Sequence, residues 1–404
     1  MVTQSDAALN TSPSSSSAVA IAYARMRRWL GIGYVGMVTA SCLLVLCFGF
    51  ASKFFSTTSQ PTTNLTSELI CAILVFSFCS LPFDVVGFNI EKLYGRTCLT
   101  LPSFLLKQIS AVFRYDLVLL AMALSLASVW ANFGLVGLSV SSVLLSLLLI
   151  STQLLFVRFY GGVLSERVPS GQLESALDGA SANHVVLVQT DQRTFSGGIV
   201  GLPGFEKIVI PKWWLADFST EQLRAVLTRR SLIITSGGRF RGVMLALVFT
   251  NIGILLAAAV TTLHFALPLN SAAGVMTMSA LFTIWSFWGL LILPQFSHAG
   301  VYEADRLALE AGVDKEVLLQ AIVKIDGHLE DEQERSPAVD TIFHPVPTIA
   351  HRLSALASSV ECKQGAWQTA RYAVFLSVIG LSLLGRAVHC NAGKPELWAM
   401  LPAD

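Results

Sequence analysis

The chain has 404 residues, of which 53% are hydrophobic and 13% are charged. The charged fraction is about half of the roughly 25% found in soluble domains, so the composition predicts a polytopic membrane protein. The formal net charge of +1 implies no basic surface large enough to hold phosphates, which argues against a nucleic-acid partner. The seven cysteines include no C-x-x-C pair, so neither a zinc knuckle nor a redox pair is indicated.

The first 160 residues predict a tail followed by four membrane spans. Residues 1–24 are rich in Ser, Thr and Ala and lack apolar periodicity, which predicts a disordered tail. Within residues 25–160, the apolar stretches 29–52 and 67–88 are each long enough to cross a bilayer, which takes about 20 residues. A second hairpin follows, with arms at about 116–131 and 136–157 and a turn at 132–134.

Asp84 lies in the last turns of the second predicted span. A carboxylate inside a membrane span is a functional candidate, and a transporter is one function that it would suit. The alternative interpretation places Asp84 at the cytoplasmic interface near Lys92, and we favour it. A transporter hypothesis therefore depends on this one residue.

The second half of the chain predicts a polar domain that is interrupted by a membrane hairpin. Residues 161–240 contain a small predicted sheet and a helix that begins at a capping box formed by Ser219 and Gln222. No Asp, Glu, Lys or Arg occurs between Arg241 and Glu303, which predicts two spans. The hairpin is predicted at 241–296, and a helical part with the second motif helix follows at 297–370. Residues 371–388 are predicted as a seventh span or an interfacial helix, and we favour a span. A C-terminal tail is predicted at 389–404.

The distribution of positive charge predicts the orientation. With the N-terminus inside and seven spans, 24 of the 27 Lys and Arg residues fall on the inner side. The positive-inside rule then places the N-terminus and the polar domain in the cytoplasm, and the cell inner membrane is the expected location.

Two motifs flank the predicted hairpin. Residues 225–233 read A-V-L-T-R-R-S-L-I, and residues 297–305 read S-H-A-G-V-Y-E-A-D. They resemble A-V-L-x-H-E-x-x-H and S-R-x-x-E-Y-x-A-D of the membrane zinc metallopeptidases that include HtpX and the CAAX prenyl endopeptidases. Further segments resemble this family in the same order, namely 193–198, 207–211 and a closing motif with His344, Pro345 and Arg352. The resemblance implies an α-helical polytopic membrane protein, with about seven transmembrane helices and a small α+β zincin-like cytoplasmic domain.

The resemblance also implies that the catalytic residues are missing. It places Arg229 at the first zinc histidine, Arg230 at the catalytic glutamate, Ile233 at the second histidine and Val301 at the third ligand. Arginine does not ligate a cation, and neither aliphatic side chain has a donor atom. We therefore expect no catalytic residue and no metal ligand at these positions, although the family implies zinc as the cofactor.

Asp305 is retained at the position where the family's aspartate orients a zinc-bound histidine. With an arginine in place of that histidine, we expect a charge-assisted contact between Arg229 and Asp305 that fills the former metal centre. Arg230 is expected to point to solvent or to anionic lipid, or to act as an ordinary cation near a helix C-terminus.

Two functional hypotheses of different classes follow. In the first, the chain is a catalytically inactive relative that binds or scaffolds a peptide or membrane-protein client as an added strand on a sheet edge. In the second, it is a working zinc metalloendopeptidase with non-standard ligands. That hypothesis requires at least two side chains to converge within about 4 Å of one point, and the candidates are His298, Glu303, His344 and His351. The sequence identifies neither the client nor the oligomeric state.

Overall fold

The computed structural model describes residues 15–59, 62–167, 184–329, 335–336, 339–340, 344–357, 364–388 and 391–400. The first 14 residues of the predicted tail and the last four residues of the chain lie outside this set. Helix α1, Ser15–Cys47, begins inside the predicted tail, so residues 15–24 are helical. Alternating alanines favour the helix in this stretch, and the helix of the first span therefore continues upstream.

Five helices of the described chain are long and apolar enough to cross a membrane, and the chain is an integral membrane protein. The spans are Val19–Cys47, Thr63–Leu93, Leu101–Ser151, Gly238–His264 and Ala272–Glu310. After α1, the helices of the first 161 residues are α2 (Phe50–Phe54), α3 (Thr62–Leu93), α4 (Leu101–Ser151) and α5 (Gln153–Gly161).

Helix α4 covers both arms of the second predicted hairpin. It begins at Leu101, where Thr100 caps it by accepting a hydrogen bond from Ser103 N. Its 51 residues would extend about 76 Å, more than twice the roughly 30 Å of a hydrocarbon layer. Gly134, with φ 57° and ψ −147°, interrupts the helical geometry within the predicted turn at 132–134. The division of this region therefore falls where the sequence predicted it, although its first helix starts earlier than expected.

The polar domain contains a four-stranded sheet in the order β1-β2-β4-β3. The strands are β1 (Leu164–Arg167), β2 (Val185–Gln189), β3 (Gly198–Val200) and β4 (Lys207–Pro211). Strands β2 and β4 are parallel, whereas the two edge strands pair antiparallel to their neighbours. Buried apolar side chains of the central strands pack on Trp214 and on the apolar face of the helix that begins after Ser219.

The remaining helices connect this sheet to the membrane region. They are α6 (Trp214–Asp217), α7 (Thr220–Thr235), α8 (Gly238–Ala259), α9 (Ala272–Ile292), α10 (Pro294–Glu310), α11 (Lys315–Leu329), α12 (Ile349–Ala357) and α13 (Thr369–Leu376). The capping box of Ser219 and Gln222 at the start of α7 is confirmed. Helices α8 and α9 pack against each other, and α7 packs against α10. The hairpin therefore holds the two motif helices side by side.

The segment at 371–388, predicted as a seventh span or an interfacial helix, is buried inside the protein. Helix α13 has eight residues and is followed by two short 3₁₀ turns, with Leu381 at φ 66° between them. This segment packs against α4, α8 and α9. Its apolar composition therefore matches the protein interior, and a helix of this length is too short to cross the bilayer.

The predicted C-terminal tail is also folded into the molecule over residues 391–400. Lys394 Nζ lies 2.9 Å from Glu91 Oε1, and Arg27 Nη2 donates to Ala392 O at 3.0 Å. These contacts bring the C-terminal segment back to the end of α1 that carries the N-terminal arginines. Lys394, which the predicted topology placed on the opposite side, therefore lies with that positive cluster.

Asp84 is a buried partner of Arg386. Arg386 Nη2 donates to Asp84 Oδ2 at 2.8 Å, and both side chains are 0% exposed. Gly393 N donates to the other carboxylate oxygen at 2.9 Å. Asp84 is therefore held in a buried ion pair, and its location at the cytoplasmic interface stays a prediction. These contacts give the carboxylate a structural role, and the transporter hypothesis stays an untested alternative.

Candidate functional site

The two motif helices bring Arg229 and Asp305 together. Arg229 Nε donates to Asp305 Oδ1 at 2.6 Å, and the side chains are 2% and 1% exposed. Arg229 lies in α7 and Asp305 in α10, 76 positions apart in the sequence. The contact is short and charge-assisted, as is typical of a guanidinium and a carboxylate.

A second arginine completes this ion pair. Arg352, on α12, donates from Nε to Asp305 Oδ2 and from Nη2 to Asp305 Oδ1, each at 2.7 Å. We call Asp305, Arg229 and Arg352 the Asp305 centre. Its carboxylate accepts three hydrogen bonds from two guanidinium groups, so one buried anion stabilises two buried cations. The sequence identified Arg352 only as part of the closing motif, and no local pattern connects it to Asp305.

Arg230 is buried beneath the sheet. Its guanidinium donates to Val209 O and to Ser196 O, each at 2.8 Å, and lies over the Trp214 ring at 5.2 Å. The side chain is 0% exposed, so the expectation that it points to solvent or lipid is wrong. Backbone carbonyls of β4 and of the loop before β3 provide acceptors there, which the spacing of residues in α7 alone does not reveal.

Aliphatic side chains fill the other two positions that the resemblance assigns to metal ligands. Ile233 and Val301 are each 2% exposed and belong to one cluster with Ile199, Ala304 and Trp367. Trp367 is fully buried, and its backbone N–H donates to Gly238 O at 3.1 Å. The space between α7, α10 and β3 is therefore occupied by hydrocarbon and an indole ring.

The other candidate ligands have different partners. Glu303 accepts from Arg241 Nη2 at 2.8 and 2.7 Å and from Gly365 N at 2.8 Å. His298 Nε2 lies 2.6 Å from His344 O, and His351 Nδ1 lies 2.7 Å from an oxygen of Asp340. Within the described residues, no group of three or more His, Cys, Asp or Glu side chains could hold a metal ion. The residues present do not fit the zinc that the resemblance implies.

The edge of the sheet next to this site is closed by side chains. Tyr372 donates its hydroxyl to Ile199 O in β3 at 2.9 Å, and Arg239 donates to Gly201 O. Arg239 Nε also contacts Tyr372 Oη at 3.1 Å. Since these groups use the carbonyls that an added strand would need, the β3 edge does not offer the peptide-binding surface that the sequence suggested.

No protein-family model matches the chain, and no curated protein matches it. The structure is similar to the crystal structure of Ste24p from S. mikatae, with a TM-score of 0.60 and 16% sequence identity. The similarity covers 84% of this chain and 97% of Ste24p. The chain has the Ste24p fold. Ste24p is a CAAX prenyl protease of the membrane zincin family. The likeness confirms a mostly helical membrane protein with a small sheet, whereas the number of spans and the domain bounds stay predictions. At this identity, the likeness concerns the fold and not the activity.

Proposed function

We propose that this chain is a catalytically inactive membrane protein with a zincin-like fold, which works by binding or scaffolding a peptide or protein client at the cytoplasmic face. The supporting observation is the Asp305 centre together with the aliphatic cluster around Ile233 and Val301. Zinc hydrolysis needs three ligands, an open position for water and a carboxylate base. None of these groups stands at the positions assigned by the resemblance.

Electrostatics oppose a metal at this place. A guanidinium about 4 Å from a cation is repelled by on the order of 4 kcal/mol per unit charge near a protein surface. The two arginines of the Asp305 centre face a single carboxylate, and Arg230 adds a third buried cation nearby. A divalent ion would have to displace this arrangement before it could bind.

The proposed client surface is the opposite edge of the sheet. Strand β1 pairs only with β2 among the described strands, and it ends the sheet on the side away from β3. Leu164 in β1 is 56% exposed. An extended peptide could add to β1 through its backbone groups, whereas the β3 edge is occupied.

Metal analysis of the detergent-purified protein tests this proposal. We expect no stoichiometric zinc and no chelator-sensitive proteolysis, with Ste24p measured in parallel as a positive control. The four-fold variant Arg229→His/Arg230→Glu/Ile233→His/Val301→Glu restores the family's ligands and base and is expected to gain zinc if it folds. Stoichiometric zinc in the wild type, with chelator-sensitive cleavage, would overturn the proposal and favour the metallopeptidase hypothesis.

A further inference from the structure

Asp116 is a carboxylate within the membrane-spanning part of α4, at the contact between α4 and α3. Ser77 Oγ on α3 donates to its two oxygens, at 2.9 and 2.7 Å. The side chain is partly buried, and within the described part of the chain it forms no ion pair. A carboxylate inside a span is costly, and a single hydroxyl group does not neutralise its charge.

Asp116 lies well inside the apolar part of the membrane region. Lys107 on α4 and Glu91 on α3 form ion pairs with residues of the C-terminal segment, which marks the polar end of both helices. At a rise of 1.5 Å per residue, Asp116 is about 13 Å from Lys107 along α4, and Ser77 is about 21 Å from Glu91 along α3. The hydrocarbon layer is roughly 30 Å thick. The carboxylate is therefore near the middle of this layer.

The polar network around Asp116 has more negative than positive groups. Arg386 Nη1 donates to Ser77 Oγ at 3.3 Å, and its Nη2 donates to Asp84 Oδ2 at 2.8 Å. This guanidinium therefore contacts Asp84 directly and reaches Asp116 only through the serine hydroxyl. Two carboxylates against one guanidinium leave a net charge of −1 on the described residues of the network.

Two basic residues near Asp116 do not supply the missing positive charge. Arg114 is two positions away on α4, and residues at this spacing do not face each other on a helix. It donates to Phe159 O and to Ser110 Oγ. Arg386 is fully buried, so a second copy of the chain could not present it at this surface either. A cation for this carboxylate would therefore come from a different molecule.

The surface next to Asp116 is apolar. Leu74 and Phe78 on α3, and Phe113 and Leu117 on α4, are each half or more exposed. Phe113 lies one turn before Asp116 and Leu117 follows it, so the two rows of side chains flank the carboxylate. A small hydrated cation would lose its water shell at this depth, whereas an apolar helix would pack against these side chains.

We propose that the surface formed by Leu74, Phe78, Phe113, Asp116 and Leu117 binds a transmembrane helix of a partner protein that carries a lysine or an arginine near its middle. The apolar side chains pack against the partner helix, and Asp116 pairs with its cation, so that neither charge faces lipid alone. The inference rests on the proposed function for the existence of a client, and it adds a client site within the membrane to the one proposed at β1.

Energy transfer from the protein's tryptophans to a labelled transmembrane peptide tests this surface. The full-length protein is reconstituted into phosphatidylcholine vesicles with a Leu/Ala peptide of about 20 residues, which has uncharged ends and an arginine at its centre. Two matched peptides carry leucine or aspartate at that position. We expect the arginine peptide to bind about tenfold more tightly than the leucine peptide. The aspartate peptide should bind no more tightly than the leucine peptide.

A variant and its matched control assign this preference to Asp116. Asp116→Asn keeps the shape of the side chain and removes its charge, so the arginine and leucine peptides should bind it equally. Ser125→Asn introduces the same amide on the same helix, at an exposed serine that donates to Ala121 O. This control should keep the tenfold preference of the wild type. Size-exclusion chromatography identifies a variant that does not fold.

Equal affinity of the wild type for the arginine and leucine peptides would overturn the inference and would indicate that a bound proton neutralises Asp116. A preference for arginine that persists in folded Asp116→Asn would also overturn it. The comparison of peptides on the wild type needs no variant, so it decides the question even if Asp116→Asn does not fold.

The zinc and proteolysis assays of the proposed function are separate from this measurement. A negative peptide result therefore leaves the inactive metal centre standing, and zinc in the wild type leaves the membrane surface around Asp116 standing.

Discussion

At the scale of single residues, Asp305 determines the charge balance of the Asp305 centre. One buried carboxylate balances Arg229 and Arg352, which come from different helices. Buried ion pairs contribute little net stability, but removing one partner leaves an uncompensated buried charge. Replacing the charged groups of the centre together should therefore change stability little, whereas removing one of them should destabilise the protein.

Replacing Asp305 should be costly for this reason. We expect Asp305→Asn to lower the free energy of unfolding by about 3–5 kcal/mol, measured by thermal unfolding in detergent. Glu310→Gln on the same helix is the matched control, because Glu310 forms an exposed pair with Arg306 at 3.4 Å and should change stability by less than about 1 kcal/mol. Equal unfolding temperatures of Asp305→Asn and Glu310→Gln would contradict the conclusion that Asp305 balances two buried arginines.

At the scale of elements, the segment around Trp367 closes the site because three glycines let it approach. A Cβ at Gly242 would lie 2.0 Å from Trp367 O, and one at Gly300 would lie 2.6 Å from Trp367 N. A Cβ at Gly365 would lie 1.9 Å from Gly300 N. The absence of side chains on α8 and α10 at these positions allows the closing segment to cross them.

Adding a Cβ at position 242 on α8 should therefore weaken the packing of the segment around Trp367. Gly242→Ala should lower the free energy of unfolding by about 1–3 kcal/mol, because backbone atoms must move apart. Gly327→Ala in α11 is the control, since its Cβ meets nothing within 4 Å, and alanine there should stabilise the helix by about 0.5–1 kcal/mol. Thermal unfolding of both variants distinguishes a packing effect from helix propensity. If both substitutions changed the free energy of unfolding in the same direction, close packing of Gly242 against the segment around Trp367 would be refuted.

The buried pair between Asp84 on α3 and Arg386 gives another element-scale prediction. Arg386→Met or Asp84→Leu alone leaves one buried charge without its partner, which should cost about 3–5 kcal/mol. The double variant Asp84→Leu/Arg386→Met removes both charges and should be more stable than either single variant. A double-mutant cycle by thermal unfolding measures this coupling, and additive losses would show that the pair is not coupled.

At the scale of the whole molecule, the sequence predicted the membrane class, the small sheet and the two motif helices, because hydrophobic stretches, the capping box and motif order are local signals. It did not predict that residues 371–388 are buried inside the protein, since an apolar segment suits lipid and protein interior equally well. Partners far apart in the chain were also missed, such as Asp84 and Arg386, which are separated by 302 positions. Within the site, the pairing of Arg352 and the burial of Arg230 depend on tertiary neighbours that no spacing encodes.

The pairing of the C-terminal segment with the first helices has a consequence for biogenesis. Asp84 leaves the ribosome 302 residues before Arg386 does, an interval of roughly 15–60 s at about 5–20 residues per second. Throughout that time the carboxylate must be protonated, hydrated or shielded by the insertion machinery, because a lone anion is costly in hydrocarbon. Assembly of the membrane region is therefore completed only after Arg386 has been synthesised, and a chain terminated before that residue would retain an exposed acidic group that membrane quality control could recognise.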